Sequence, residues 1–517
     1  MADEPRRRRS GGRAARVATR QAPPTDDARA VFPGTPGGKF TPLTESECQS
    51  VYDTALDLLE NLGMGSPIKE FVDVVTAAGG WVDDDERLHY PKHVVEGAIA
   101  TAAKDWVWHG LDESRSIELK DSKVHFGTAG AAVLMLDHDT NEFRPSTTQD
   151  LYDVARLVDT LDNIHFFVRT IVTRDMETAR ELDINTAYAA MMGTTKPVGT
   201  SFFRPQHVFE VVDMFDAVMG GPGEFRKRPF VVANNTFVVP PLRYAEESAE
   251  CMVAQVQAGM PINLLSAGQA GATSPAALAG SLVQALAECL AALTNVNLMS
   301  PGHPCVMGLW PFVSDLRTGA MSGGSGEEGL LNAAAAQVAN WVGLPSGVAA
   351  GMADSKLPDN QAGYEKGITV SLAAHAGANL VYESAGMLAS LLGCSLEAIV
   401  IDNDMMGSIN RTVRGIEIDA TTLSADVIAD VISGPGHFLG HEQTLGLMQT
   451  EYTYPLIGDR NSPEDWKDLG AKNAREAAHD VVTEVLATHY PNHVPKAVDD
   501  ALREAHPIRL PQPPTLV

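Results

Sequence analysis

Between residues 121 and 410 the sequence alternates short apolar segments with helical patterns, and it does so eight times in succession. A parallel strand reaches its neighbour only through a crossover connection, which an amphipathic helix provides. Eight such units predict an α/β fold in which the strands close into a (β/α)8 TIM barrel. An open, doubly wound sheet is the alternative, although no GxGxxG turn follows any predicted strand. The predicted strands are Val124–Gly127, His165–Ile171, Pro197–Phe203, Phe230–Asn235, Ile262–Ala267, Cys305–Pro311, Val348–Ala353 and Asn379–Ser384.

The segments outside the alternating region have a different character. Residues 41–120 predict an all-helical extension, whose first helix begins with a capping box formed by Thr44 and Glu47. Residues 411–517 predict a helical region that packs on the barrel or forms an oligomer interface. Residues 1–40 are rich in arginine, proline and glycine, which predicts a disordered basic tail. The four predicted regions are therefore 1–40, 41–120, 121–410 and 411–517.

The composition limits the partners and the compartment. A net charge of −27 repels nucleic acid and anionic membranes, so we expect neither as a partner. No apolar run stands out as long enough to span a bilayer, which takes about 20 residues. The five cysteines are scattered, with no CxxC pair, which argues against disulfides and a structural zinc site and favours a cytoplasmic protein. We also expect a homo-oligomer.

Side chains at the carboxyl ends of barrel strands share one mouth, and there the sequence places aromatic, cationic and acidic residues. Aromatic faces with a carboxylate suit a quaternary ammonium ion, which cannot donate an N–H hydrogen bond. An arginine opposite them could hold a substrate carboxylate. We predict Asp354 and Glu383 as catalytic residues, no metal ligands, and a substrate-binding set of Arg169, Phe203, Arg204, Asn235, Trp310, Phe312 and Tyr364.

Each candidate also has a purely structural interpretation. The aromatic side chains could belong to the core, the arginines could pair with structural acids such as Asp183 or Glu210, and Asn235 could only close a turn. Asp354 could cap the helix that follows it, and Glu383 could be a buried partner of Lys356. His375 lies within a predicted helix away from the mouth, and we interpret it as a packed core residue. No GxSxG, P-loop or HExxH motif is present.

Three segments of the barrel region carry a resemblance to a known family. They read DSKLPDNQAGYEK from Asp354, LAAHAGANLVYESAGML from Leu372 and IVIDNDMMG from Ile399. Together they resemble the trimethylamine methyltransferase family of corrinoid-dependent enzymes, and the resemblance runs from about Thr41 to the C-terminus. It implies a (β/α)8 barrel that binds a methylated amine at its mouth.

The resemblance also implies a partner and a substrate class. Its members pass a methyl group to a corrinoid, or cobalamin, carried by a separate protein, so we expect no tightly bound cofactor in this chain. The branch that acts on trimethylamine carries pyrrolysine, whereas this chain has only standard residues near Gly351–Met352–Ala353. That difference favours glycine betaine or a related quaternary amine as the substrate. A trimethylamine-type methyltransferase, a non-catalytic betaine-binding or regulatory barrel, and a cofactor-independent lyase remain the alternatives.

Overall fold

The computed structural model describes residues 29–512, and its centre is a curled mixed sheet of nine strands. The first strand is antiparallel to its neighbour, and the other eight run parallel to one another. In chain order the strands are β1 (Thr35–Pro36), β2 (Lys123–Phe126), β3 (Phe167–Val168), β4 (Val198–Thr200), β5 (Val231–Ala233), β6 (Ile262–Ser266), β7 (Cys305–Leu309), β8 (Ser346–Ala349) and β9 (Leu380–Tyr382).

From β3 to β9, each strand lies next to the strand that follows it in the chain, and β2 lies next to β9. From one side of the sheet to the other the strand order is β1-β2-β9-β8-β7-β6-β5-β4-β3. An isolated parallel bridge between Gly127 and Phe166 joins the chain just beyond β2 to the chain just before β3. The His165 amide donates to the Phe126 carbonyl at 2.7 Å beside this bridge. The chain is therefore in contact between β2 and β3, which stand at opposite ends of the eight parallel strands in the sheet order.

Helices connect the parallel strands as the sequence predicts. Every predicted strand and helix between residues 121 and 410 is present, with ends shifted by a few residues. The helices of the described chain are Glu45–Asn61, Lys69–Ala77, Lys92–Thr101, Thr148–Asp159, Ala179–Gly193, Pro205–Met219, Glu224–Lys227, Glu246–Ala258, Leu278–Met299, Gly326–Val342, Asn360–His375, Leu396–Arg414, Ala425–Ser433, Glu442–Leu447, Pro463–Asp468, Ala474–Thr488 and Lys496–Ala505.

The region before the barrel strands is not all helical, so that prediction is wrong in part. The capping box is present, because the Thr44 side chain accepts from the Glu47 amide and the Glu47 carboxylate accepts from the Thr44 amide. Two antiparallel ribbons then follow, and alternating aromatic and β-branched residues such as those of Trp106–Trp108 favour strand structure there. The ribbons pair Trp81–Val82 with Leu88–His89 and Trp106–Trp108 with Ile117–Leu119.

The predicted basic tail falls partly within the described chain. Residues 1–28 of it lie outside the described residues. Residues 29–40 are not disordered, because Thr35 and Pro36 pair with Val124 and Lys123, and the Phe40 amide donates to the His375 carbonyl at 3.0 Å. The Thr35 side chain is also buried. The compositional prediction fails here because the chain gains backbone pairing from the edge of the sheet, which composition does not reveal.

One helix is apolar enough to match a membrane span, contrary to our expectation that no such run exists. Leu278–Met299 has 22 residues, and its most apolar window has a hydropathy of 1.4. In the structure 83% of that window is buried inside the protein. A helix surrounded by protein on all sides is apolar all round, which accounts for its composition.

The region after the barrel strands divides into a packed part and an open part. The helix Ala474–Thr488 packs against Leu396–Arg414 and Thr148–Asp159, and Lys496–Ala505 packs against Pro205–Met219. Residues 415–472 precede these two helices in the sequence and form three short helices. Within this described segment, Val431 is the only apolar residue whose side chain is buried. Large apolar side chains are exposed throughout this segment, among them Ile416, Ile418, Ile432, Leu439 and Leu469.

Candidate functional site

Buried polar atoms without hydrogen-bond partners gather at the carboxyl ends of the parallel strands. Burying such an atom costs free energy unless a partner satisfies it, so an accumulation of them marks a place built for a ligand or for water. They come from β4, β6 and β9, from the residues that follow β7 and β9, and from one helix. The atoms are Thr200 Oγ1, Asn263 Oδ1, Trp310 Nε1, Glu328 Oε1, Tyr382 OH and Glu383 Oε2.

Two aromatic rings form one wall of this site. Trp310 and Tyr382 are buried, and their ring centroids lie 5.2 Å apart with an interplanar angle of 50°. Gly347 on the adjacent strand makes room for Tyr382, because a Cβ there would lie 2.8 Å from the tyrosine ring. Phe312 is also buried, with its ring centroid 6.4 Å from that of Trp310. Both predicted aromatic residues of this wall are therefore inside the protein and adjacent.

Glu383 follows β9 directly and carries a buried carboxyl group. Its side chain is inaccessible to solvent, and its backbone has a φ of 60°, a left-handed conformation that is unfavourable for a residue other than glycine. Burial raises the pKa of Glu383 to about 8, against the opposing attraction of the Lys366 ammonium. The cation near this carboxyl group is thus Lys366, and not Lys356 as the structural interpretation of the sequence had it.

Glu328 is a second buried carboxyl group, and it was not predicted. Its Oε2 accepts from the Val313 amide at 3.0 Å, while its Oε1 has no partner. Burial raises the pKa of Glu328 well above its usual range, and the negative charges of Glu383 and Asp354 raise it further. In the sequence Glu328 is one of two adjacent glutamates in the first turn of a helix capped by Ser325, a common solvent-exposed arrangement. Nothing in the local sequence distinguishes it from its neighbour Glu327, which is exposed.

Asp354 lies beside these acids with both of its carboxylate oxygens occupied. Ser322 donates to Oδ2 at 2.7 Å and Ser390 donates to Oδ1. Its backbone amide donates to the Glu365 carboxylate at 2.8 Å, which holds the loop against the following helix. Asp354 does not cap that helix, because Asp359 is the capping residue. It is therefore placed at the site, but as a hydrogen-bonded loop residue rather than a free carboxylate.

Arg169 extends from the end of β3 and has no carboxylate partner within ion-pair distance among residues 29–512. Its Nη1 donates to the Gly130 carbonyl at 3.0 Å, and its Nε donates to the Ser201 hydroxyl. Burial lowers the pKa of Arg169 to about 10. The acid considered as its partner, Asp183, instead contacts the His207 ring at 2.6 Å. A guanidinium that is half-buried and unpaired is available to a ligand anion.

The other four predicted binding residues are exposed to solvent or bonded to residues outside the buried cluster. Arg204 is an exposed ion-pair partner of Glu247, and Phe203 is half exposed. Asn235 does not close a turn but joins the segments that follow β4 and β5, because its Nδ2 donates to the Phe202 carbonyl at 2.8 Å and its Oδ1 accepts from the Phe202 amide. Tyr364 is 58% exposed on the outside of its helix. Residue type and nearness to a strand end suggested all four, but the direction of a side chain depends on the backbone beyond the strand.

The three sequence segments that carry the family resemblance meet behind Glu383. The Lys366 ammonium of the first segment and the Asp402 carboxylate of the third form a buried ion pair at 2.6 Å. The same Asp402 oxygen accepts from the Gly386 amide of the second segment at 2.8 Å. His375, by contrast, is only half-buried and contacts the Thr412 hydroxyl, so it is not the core residue we expected. The segments therefore share one contact network under the site.

A cavity of about 510 Å³ adjoins the acidic residues. Its lining includes Val313, whose amide binds Glu328, and Ser322, whose hydroxyl binds Asp354. Leu316, which is 70% exposed, lies at its outer edge. The cavity is thus lined by residues that hydrogen-bond to Glu328 and Asp354.

Comparison with known proteins identifies the family. Residues 9–508 match the family model described as trimethylamine methyltransferase (MTTB). The chain belongs to the trimethylamine methyltransferase family. This confirms the resemblance inferred from the three sequence segments.

Curated relatives of the family cover most of the chain. The trimethylamine methyltransferase MttB of Desulfitobacterium hafniense is 31% identical over 462 residues, which is 89% of this chain and 92% of the relative. The MttB protein of Methanosarcina thermophila is 31% identical and covers 90% of this chain and 96% of its own. A glycine betaine methyltransferase of Desulfitobacterium hafniense is 27% identical over 461 residues, covering 89% and 94%.

A solved structure shares the fold. The monomethylamine methyltransferase MtmB of Methanosarcina barkeri aligns with a TM-score of 0.50 at 12% identity, over 90% of this chain and 89% of that one. At this identity the likeness concerns the fold alone. It agrees with a mixed α/β architecture built around a curled sheet.

Proposed function

We propose that this chain is a methyltransferase that removes a methyl group from a quaternary amine, with glycine betaine the leading substrate. The observation that carries the proposal is the pair of buried glutamates, Glu328 and Glu383. They interact with each other and carry unpartnered oxygens, at the same end of the sheet as the Trp310–Tyr382 wall. A permanent cation binds where aromatic faces and carboxylates meet away from water. Burial holds both acids in the protonated form, and a bound cation would favour their ionised form.

The unpaired guanidinium of Arg169 supports a substrate that also carries a carboxylate. Arg169 lies on β3, and Glu383 follows β9, with β2 between the two strands. Two strand spacings are about 10 Å, and a long arginine side chain covers much of that distance. A betaine would place its ammonium group toward the glutamates and its carboxylate toward Arg169.

Removal of a methyl group from a quaternary amine requires no proton transfer by the protein. When the C–N bond breaks, nitrogen keeps the bonding electron pair and the tertiary amine departs uncharged. No general acid is therefore needed, and the chain acts by orienting the N–CH3 bond and excluding water. A reduced corrinoid on a partner protein supplies the nucleophile that accepts the methyl group. The exposed side chains of Phe203 and Leu316 near the carboxyl ends of the strands fit contact with such a partner.

The similar proteins support methyl transfer as the reaction class, but they are named for two different substrates. Relatives are named for trimethylamine or for glycine betaine. The standard residues Gly351–Met352–Ala353, where the trimethylamine branch would place pyrrolysine close by, favour the second.

The same proposal extends to the architecture and the setting. We take the sheet to be a closed (β/α)8 barrel, supported by the bridge between Gly127 and Phe166. We expect the enzyme to be a homo-oligomer, supported by the exposed apolar side chains of residues 415–472. A cytoplasmic location is supported by the five cysteines, all of which are free and buried.

The test is a methyl-transfer assay with reduced cobalamin or a reduced corrinoid protein as acceptor. We expect methylcobalamin to form with glycine betaine, and more slowly or not at all with trimethylamine. E328Q should lower kcat/KM at least tenfold, whereas E70Q alters an exposed glutamate in the first turn of the helix Lys69–Ala77 and should not. If a methyl group is transferred from trimethylamine but not from glycine betaine, the proposed substrate is wrong. Betaine binding without transfer to any corrinoid would favour a non-catalytic binding protein.

A further inference from the structure

A cluster of two histidines and a glutamate lies away from the candidate site. His138 belongs to the hairpin formed by Leu134–Leu136 and Phe143–Pro145. Glu397 is in the first turn of the helix Leu396–Arg414, and His479 is on the helix Ala474–Thr488. One nitrogen of each histidine and one oxygen of Glu397 lie within 4.8 Å of one another.

The distances within the cluster match those between ligands of a single ion. Glu397 Oε1 is 2.9 Å from His479 Nδ1 and 3.4 Å from His138 Nδ1. Ligand atoms about 2.1 Å from a tetrahedral metal ion lie about 3.4 Å from one another. The three side chains are therefore already gathered to nearly the required spacing.

Two further observations indicate that the Glu397 carboxylate lacks a neighbouring lysine or arginine and that His138 lacks a hydrogen bond at one ring nitrogen. Glu397 is buried, and within residues 29–512 no lysine or arginine lies within ion-pair distance of it; its neighbours are the two imidazoles and the Ser395 hydroxyl. The His138 Nδ1 atom is buried and makes no hydrogen bond. A buried carboxylate and an unsatisfied imidazole nitrogen that face each other are stabilised by a positive charge between them, which a proton or a metal ion can supply.

We propose that His138, Glu397 and His479 bind a divalent transition-metal ion of the zinc class. Two imidazoles and one carboxylate are the ligands that Zn2+ and its neighbours in the series prefer, with water completing the coordination. The two rings are stacked with centroids 3.6 Å apart and an interplanar angle of 17°, whereas a metal ion lies in the plane of each ring that binds it. Binding therefore requires the His479 ring to tilt, and its 39% exposed side chain has room to do so.

Such an ion would join three segments that are distant in sequence. It would tie the hairpin and the C-terminal helix Ala474–Thr488 to the start of the helix Leu396–Arg414. The Arg475 side chain already links the same helix to the hairpin, by donating to the His138 carbonyl at 3.1 Å. The site would thus be structural and would hold the C-terminal region against the rest of the chain.

The test uses the full-length protein after treatment with a chelator, titrated with Co2+ and Zn2+. We expect one equivalent of Co2+ to produce the visible absorption bands of a nitrogen-ligated site, and Zn2+ to displace it. H138Q and H479Q should each weaken binding at least tenfold. H437Q changes an exposed histidine elsewhere and should have no effect.

A second readout separates a metal from a proton at the same cluster. Zn2+ should slow proteolysis between residues 415 and 474 in the parent protein and not in H479Q. Absence of stoichiometric Co2+ binding would overturn the proposal, as would equal binding by H138Q and H479Q. A rise in Tm on acidification with no response to metal would show that the imidazoles bind protons instead.

Discussion

At the scale of single residues, Glu383 couples the site to pH. Its pKa is about 8 in the folded chain, compared with a usual value near 4.5. Between these values the folded state keeps a proton that the unfolded state releases, so this group lowers stability as pH rises. Below about pH 4.5 both states are protonated, and the cost disappears.

We therefore predict that E383Q stabilises the protein in a pH-dependent way. Glutamine keeps the shape of the protonated acid and cannot ionise, so the gain should be small at pH 5 and on the order of 3–5 kcal/mol near pH 8. Chemical denaturation at the two pH values measures it. E327Q is the control and should show no such trend. A gain that is equal at both values would contradict the raised pKa.

A second prediction concerns Arg169. If this guanidinium holds a substrate carboxylate, R169Q should weaken glycine betaine binding by about 1.5–3 kcal/mol, which is tenfold or more. Choline has the same trimethylammonium group without the carboxylate, so its binding should change little. Calorimetry with both ligands makes the comparison.

The control for Arg169 is R204Q, because Arg204 is exposed and pairs with Glu247. We expect R204Q to bind both ligands as the parent protein does. Equal losses for glycine betaine and choline in R169Q would mean that the substitution disturbs the ammonium subsite, and Arg169 would then not be the carboxylate anchor.

At the scale of elements, the Lys366–Asp402 pair joins two consecutive helices beneath the site. Both side chains are almost inaccessible, so removing one leaves a buried charge uncompensated. We predict that K366M destabilises the protein by about 3–5 kcal/mol, and that K366M/D402L recovers part of the loss. Equilibrium unfolding in urea measures both. If the double variant is less stable than K366M, the ion pair does not account for the loss.

The elements themselves were largely predictable, and the site only in part. Strand–helix alternation and capping signals are local, so they located the strands and helices to within a few residues. The positions of Trp310, Phe312, Glu383 and Arg169 at the ends of strands could be predicted because parallel strands end on one side of the sheet, and their roles in binding stay predictions. Glu328 was not, because its burial depends on packing against Val313 from another segment. Arg204 and Asn235 were misassigned because neighbours distant in sequence hold their side chains.

At the scale of the whole molecule, residues 415–472 are the part least able to fold alone. They expose large apolar side chains and bury only Val431 within the described structure. Every copy of the chain exposes these apolar side chains, so each copy needs one partner surface to bury them. A second copy of the same chain provides that surface in equal amount.

We predict a homo-oligomer that depends on this segment. Light scattering coupled to size exclusion should give a multiple of 55.2 kDa for the parent protein. I432D/L439D should shift it toward the monomer, because both side chains are more than three-quarters exposed in the single chain. L316D alters a leucine outside the segment that is 70% exposed, and it should leave the assembly intact. A monomeric parent protein would refute the prediction.

The contact network of Lys366, Asp402 and Gly386 also limits how such an enzyme can be re-engineered. Two consecutive helices and the connection between them share one carboxylate, so none of the three is an independent module. A chimera that takes one of these three segments from a relative, without the other two, would leave the buried charge of Asp402 or Lys366 without its partner. We therefore expect the three segments to be exchangeable between members of the family only together, as one unit.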